Sequence, residues 1–209
     1  PNSTSGEVTS WEDLASGNNA TGSSGTVPSY LSNSINFNPA LDFDGVDNVL
    51  TSADGFYTHA YYLVLTPDDT YTSATTRQVP LGWDDSSVTT TSSIGGFYLG
   101  GIFSGSDDVL GHLVGNGANS YAQLRVDNTK TIPANIPQLF ETRENAGATA
   151  SGIFQNGIQV DNATSGSGYL AVSNEEYAIG RFETPNDFSF TSLCHCFLID
   201  DGINYISYF

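Results

Sequence analysis

Methionine is absent from this chain, and only five residues are Lys or Arg against 23 Asp or Glu, a formal net charge of -18. A chain this acidic has no basic footprint for phosphate backbones or anionic membrane surfaces, which excludes nucleic acid as a partner. No apolar run approaches the roughly 20 residues of a spanning helix, so membrane insertion by that route is excluded too. Helical patterning is equally scarce. No long stretch carries apolar residues at three-and-four spacing, and Gly, Thr and β-branched residues are spread throughout, so the expectation is an all-β chain. Cysteine occurs only at Cys194 and Cys196. Two positions apart on a strand, they would share a face with His195 on the other, a spacing unsuited to a mutual disulfide. They also lack the second ligand pair of a zinc site, so they read as small buried hydrophobes. The chain opens on Pro1 and reads as a processed form or as a module of something longer.

Charged residues make up only 13% of the sequence. Ser, Thr, Asn and Gly must therefore cover the surface, as in many extracellular all-β proteins. The 209 residues suffice for one substantial core, so residues 1–209 are expected to form a single domain. Strand candidates bounded by turn residues run from His59 to Thr66, Gln78 to Trp83, Gly96 to Phe103, Val109 to Val114, Tyr121 to Val126 and Gln138 to Arg143. Further candidates are Ser151 to Gln155, Ile158 to Val160, Tyr177 to Gly180 and Leu193 to Ile199. Asn156-Gly157 between two of them is a strong hairpin signal. Many short strands without a repeat of constant length predict a two-sheet antiparallel β-sandwich of the jelly-roll kind, not a propeller or solenoid. Period-two patterning assigns Leu41, Phe43, Leu63, Leu65, Phe97, Leu99, Leu124, Ile153 and Ile179 to the core. The polar stretches Thr66 to Ser73 and Ser86 to Gly95 are expected as exposed loops, the usual seat of binding residues on a rigid sandwich.

Two segments carry more specific patterning. Trp11 and Asp13 precede Ser16-Gly17-Asn18-Asn19-Ala20-Thr21, and Asn36, Asn38 and Pro39 lead into Leu41-Asp42-Phe43-Asp44-Gly45-Val46-Asp47. In the second, Leu41 and Phe43 share one face of a strand, Asp42 and Asp44 the other, and Gly45 supplies the positive φ of a tight reversal. Later come Glu141-Thr142-Arg143-Glu144-Asn145, then Phe154-Gln155-Asn156-Gly157, then Ile179-Gly180-Arg181. Together these residues resemble the laminin-G-like, concanavalin A-like jelly-roll modules found in large surface adhesins of gliding Bacteroidota, over roughly residues 8 to 190. That resemblance implies a cell-surface adhesion or binding module. It fails at the closing strand, where Phe190 to Asp200 lacks the family's Gly and Glu. Fold relatives that hydrolyse glucans carry Glu-x-Asp-x-Glu on one strand. This chain has no such run, and His59, His112 and His195 lie in no nucleophile context, so catalysis is not expected.

The chemistry that is present is acidic and aromatic. Asp42/Asp44/Asp47, Asp68/Asp69, Asp84/Asp85, Asp107/Asp108 and Asp200/Asp201 supply oxygen ligands at turns, and calcium is the natural ion, with Asp44 and Asp47 the first candidates. Solvated acidic turns account for such pairs equally well. Trp83 sits between Pro80-Leu81-Gly82 and Asp84-Asp85, placing an aromatic plate beside hydrogen-bonding carboxylates at a strand end. Sugars bind such pairs, C–H faces on the ring and hydroxyls on the carboxylates. Trp83, Asp84, Asp85 and Tyr98 are the candidate ligand-binding residues, with Trp83 as a core plug the competing reading. Trp11, within an alternating strand, is expected to be buried. Asn2, Asn19 and Asn162 fit the glycosylation acceptor pattern, which also arises by chance in so Asn-, Ser- and Thr-rich a chain. The expected partner is a surface glycan or a neighbouring protein module, outside the cell and at its surface. A structural spacer of a filament or stalk is the alternative.

Overall fold

The computed structural model describes residues 2–4, 6–14, 17–35, 38–52, 60–72, 78–84, 95–100, 109–115, 121–126, 131–143, 151–163, 176–180, 191–200 and 205–208. Among them no residue is helical. The strands are β1 (Asn2–Thr4), β2 (Glu7–Trp11), β3 (Ala20–Thr21), β4 (Ser29–Ile35), β5 (Asn38–Asp44), β6 (Leu50–Ser52), β7 (Ala60–Pro67), β8 (Gln78–Asp84) and β9 (Gly95–Leu99). They continue as β10 (Leu110–Gly115), β11 (Tyr121–Val126), β12 (Gln138–Arg143), β13 (Ser151–Gln155), β14 (Ile158–Ala163), β15 (Glu176–Ile179), β16 (Thr191–Asp200) and β17 (Tyr205–Tyr208).

Every pairing is antiparallel, and the ladders fall into two runs. The first runs β4, β5, β16, β7, β12, β13, β14, with β17 taking over the far half of β16 from β5. The second runs β1, β2, β3, β6, β15, β8, β9, β10, β11. A single pair, Glu7 with Ser29, joins β2 to β4 and makes the hydrogen-bonded network continuous through all 17 strands. The protein is thus an all-β, two-layer antiparallel sandwich, the arrangement that buries one face of each sheet against the other. Asn156 and Gly157 both take positive φ, 52° and 78°, and turn β13 into β14 as the primed hairpin turn requires.

Alternation decides which face is inside. On β7, Tyr61, Leu63 and Leu65 are fully buried while Tyr62 and Val64 are partly exposed. Leu41, Phe43, Phe97, Leu99, Ile153 and Ile179 are buried as the period-two pattern requires, and Trp11 is buried with them. Leu124 on β11 lies outside the described side chains. Phe97 on β9 spans the layers: its ring centroid is 5.2 Å from that of Phe140 on β12 and 6.2 Å, edge to face, from that of Tyr61 on β7. A second close approach lies at the end of β15, where Gly180 takes φ +104. A Cβ there would stand 2.6 Å from the Asn48 carbonyl oxygen and 2.7 Å from the Phe43 ring, so only glycine fits.

Two expectations are corrected. The stretch from Thr66 to Ser73 does expose Asp68, Asp69 and Thr70, but Tyr71 is fully buried. It exchanges backbone hydrogen bonds with Ile132 (2.9 and 3.1 Å), and its hydroxyl donates to Gln78 Oε1. An aromatic in a polar run offers no periodicity to read, and the distant Ile132 supplies its partner. Cys194 and Cys196 do not follow simple alternation either. A bulge lets Cys194 pair with Leu65 and Cys196 with Val64, consecutive positions of β7, so the two fall in rows of opposite parity. β1, β3, β4 and β17 were not legible at all. The stretch from Ser86 to Gly95 lies outside the described residues but for Gly95, the first residue of β9.

Because Phe97 meets rings from the opposite sheet, truncating it removes both the buried area and the interlock. Phe97→Ala is expected to lower unfolding free energy by about 3–5 kcal/mol, read from urea melts of both proteins. A loss below about 1 kcal/mol would mean that the sheets are not held together there.

Candidate functional site

The acidic turns come first. Asp44 Oδ1 accepts the backbone N–H of Val46 (2.9 Å) and of Asp47 (3.3 Å), and Asn48 Oδ1 accepts the N–H of Asp44 (3.0 Å). Gly45 between them has φ 73°. The Trp11 segment uses the same device: Asp13 Oδ2 accepts the Asn18 N–H (3.0 Å), and Asn19 Oδ1 accepts the Asp13 N–H (2.9 Å). In both motifs a carboxylate and a side-chain amide satisfy the amides of a turn that has no ladder partner. Among the described residues, no three or more His, Cys, Asp or Glu side chains gather where a metal ion would be held. The calcium expectation therefore rests on Asp44 and Asp47 alone.

β8 carries the aromatic and acidic pair into the middle of a sheet. Trp83 pairs with Tyr177 on β15 and Gly95 on β9, and Asp84 pairs with Glu176. The side chains of Trp83 and Asp84, and all of Asp85, lie outside the described residues. Tyr98 is fully buried on β9, opposite Gly111. It is three residues along from the partner of Trp83, a separation that puts the two positions in rows of opposite parity. The register does not bring them together, and Tyr98, on the outward row between the inward Phe97 and Leu99, is completely covered.

The outer faces of the two layers differ. On the sheet containing β8 and β9, the outward rows are small and closed: Gly82, Gly96, Gly111 and Ala178 are buried, as is Tyr98. On the sheet containing β7 and β12 they are mixed: Thr66, Glu141 and Gly152 are buried, and others stand partly open. Tyr62, Val64 and Phe154 are half-buried, Leu139 is 38% exposed and Gln159 is exposed. Tyr62, Glu141, Phe154 and Gln159 are successive cross-strand partners on β7, β12, β13 and β14. Glu141, between the two aromatics, retains 8% exposure. Sequence patterning passes over this row because it scores the inward positions. Its available signal was Glu141 and Phe154 standing out of phase with Phe140 and Ile153.

The same face is acidic at its other end. Burial, chiefly, holds the Asp42 carboxyl above its ordinary value, with the Asp68 and Asp44 charges adding to it; burial also raises Asp68. A carboxyl whose pKa is raised by folding favours the native state when protonated and opposes it once ionised. Its contribution is full below the unfolded value of 3.8 and is lost as pH rises through the folded value. Asp42→Asn is therefore expected to raise Tm at pH 7, and the gain should shrink as pH falls through the carboxylate range. A gain independent of pH in paired melts would mean that charge is not its source.

No protein family matches the chain, nor does any curated protein. Solved structures do. Domain 4 of AbnA, a GH43 extracellular arabinanase from Geobacillus stearothermophilus in complex with arabinotriose, aligns with a TM-score of 0.59 at 15% identity, covering 88% of this chain and 76% of that one. The enzymatically active domain of bacteriophage CBA120 tailspike protein 2 aligns at 0.58 with 12% identity over 95% of this chain and 29% of the tailspike chain. The botulinum neurotoxin serotype G binding domain aligns at 0.51 with 10% identity over 97% of this chain and 47% of its own. At these identities the likeness is one of fold, and it agrees with the jelly-roll-like sandwich expected from the sequence.

Proposed function

We propose that this chain is a non-catalytic carbohydrate-recognition module of an extracellular, cell-surface protein, taking a glycan at its rim through Trp83, Asp84 and Asp85. The observation that carries the reading is the end of β8, where Trp83 and Asp84 pair with Tyr177 and Glu176 of β15 and the sequence continues with Asp85. Such a strand end supplies a stacking surface and hydroxyl acceptors on a rigid support. The fold supports it, since the arabinanase domain of similar architecture was captured with arabinotriose. A net charge of -18 favours neutral over anionic sugars. The non-catalytic part rests on the missing Glu-x-Asp-x-Glu run and on the engagement of Asp44 in its own turn. Tyr98, fully buried, is left out of the site.

A spacer role is the second reading. It is favoured by Leu14, Val46 and Ile158, exposed at 66, 74 and 69%, which neighbouring modules would cover. A panel of neutral oligosaccharides titrated against the purified protein separates the two. The expected result is binding that Trp83→Ala weakens by about tenfold or more, roughly 1.4 kcal/mol, with no reducing sugar released. Absence of binding together with self-association of the chain would favour the spacer, and sugar release would overturn the non-catalytic reading.

Calcium at Asp44 and Asp47 is the metal component of this proposal. Saturating calcium at about a hundred times its Kd would add roughly 2.7 kcal/mol, a shift of a few degrees in Tm. Melting in chelator and in calcium, with Asp47→Asn as the site probe, reads it directly. An unchanged Tm removes the ion.

A further inference from the structure

We propose a second saccharide site on the open sheet face, built by the row Tyr62, Glu141, Phe154 and Gln159. It shares its ligand class with the proposed function but none of its residues. Four observations carry it. The row is defined by ladder register, not by loop placement: Tyr62 pairs with Glu141, Glu141 with Phe154, and Phe154 with Gln159. Its two aromatic residues remain partly exposed although the same strands bury Tyr61, Leu63, Phe140 and Ile153 completely. Glu141, at the register position between Tyr62 and Phe154, keeps 8% exposure. On the other sheet the described outward positions of β8, β9 and β15, with Gly111, are buried, so the partial openness of this row is not shared by those strands.

The chemistry of the row selects the occupant. Tyr62 and Phe154 are two strands apart, roughly 9–10 Å, and offer separated stacking surfaces along one line. Glu141 between them accepts hydroxyl protons, and the Gln159 amide both donates and accepts. Val64 and Leu139 add an apolar shoulder beside the row. An extended chain of neutral sugar rings lying across the strands meets these groups in turn, apolar C–H faces on the rings and hydroxyls on the polar pair. Anionic glycans are disfavoured by Glu141 and by Asp42 and Asp68 beyond it. The spacing of the two rings calls for a disaccharide or longer, not a monosaccharide.

The test titrates the full chain with arabinotriose, cellotriose, xylotriose and the corresponding monosaccharides, following heat and the chemical shifts of the protein. Variants are Phe154→Ala, Glu141→Gln and the exposed Gln159→Ala, beside Trp83→Ala, with a melt of each to establish folding. Expected is a binding isotherm for at least one trisaccharide that Glu141→Gln and Gln159→Ala each weaken by about threefold to tenfold. Trp83→Ala should leave this component intact, and shifts should map to β7, β12 and β13. Binding abolished by Trp83→Ala and indifferent to Glu141→Gln and Gln159→Ala overturns the second site while the rim reading stands. Binding lost in the face variants and kept in Trp83→Ala sustains the second site and overturns the rim. Absence of any binding to the panel overturns both. Equal affinity for monosaccharide and trisaccharide overturns the extended site, because one ring position would then suffice.

Discussion

The contact of Phe97 with Phe140 and Tyr61 is the constraint from which most of the molecule follows. It joins a strand of one sheet to two strands of the other, with centroids at 5.2 and 6.2 Å. Once Tyr61 and Phe140 are committed inward, strict period-two geometry turns Tyr62 and Glu141 outward. Core and surface are therefore one decision: a slip of one residue in β12 would carry Phe140 out of the core and put Glu141 in its place, and one in β7 would exchange Tyr61 and Tyr62 in the same way. Gly180 acts in the same sense at the far end of the sandwich. Its missing side chain lets Phe43 and the Asn48 carbonyl close against β15, which ties the Asp44 turn to the opposite sheet.

The most conspicuous sequence motifs turn out to build structure. Asp13 with Asn18 and Asn19, and Asp44 with Asn48, each close a turn by exchanging side-chain oxygens for backbone N–H donors. A turn without ladder partners must find them locally or in water, and a buried residue such as Asp13 or Asn48 has little water to find. This explains why short acidic and amide residues concentrate at these positions in a chain that is otherwise sparing with charge. It also weakens any inference from acidic clustering to metal binding, because the same oxygens already have donors to accept.

Fold and site were unequally legible in the sequence. Long alternating strands such as β7, β12 and β13 announce themselves, since burial on one face imposes the period. Very short strands such as β3 carry too few residues for any period, and β4 is a run of Ser, Asn and a few apolar residues held by pairing with β5. Tyr71 carries no periodic signal, because its burial depends on Ile132, 61 positions away. The bulge in β16 separated two cysteines that simple alternation would join. At the site, the sequence singled out residues of conspicuous chemistry, Trp83 with its aspartates and Tyr98, whereas juxtaposition is a property of register. Glu141 and Phe154 are 13 positions apart and become neighbours only through the β12–β13 hairpin.

The two outer faces then differ in composition. Where the outward row is Gly82, Gly96, Tyr98, Gly111 and Ala178, the positions are fully covered, the tyrosine included. Where it is Tyr62, Val64, Leu139 and Phe154, large side chains stand up from the sheet and keep part of their area in water. Exposed aromatic and aliphatic area costs free energy, about 25 cal/mol per Å² relative to burial, and four such residues around one covered carboxylate are not needed to close the core, which Phe97, Phe140 and Ile153 already fill. A face built for solubility alone would carry Ser, Thr and Asn, as most of this chain's surface does. Retention of rings at those positions is what the proposed saccharide site on this face would use, since a sugar ring offers an apolar C–H face to an aromatic side chain.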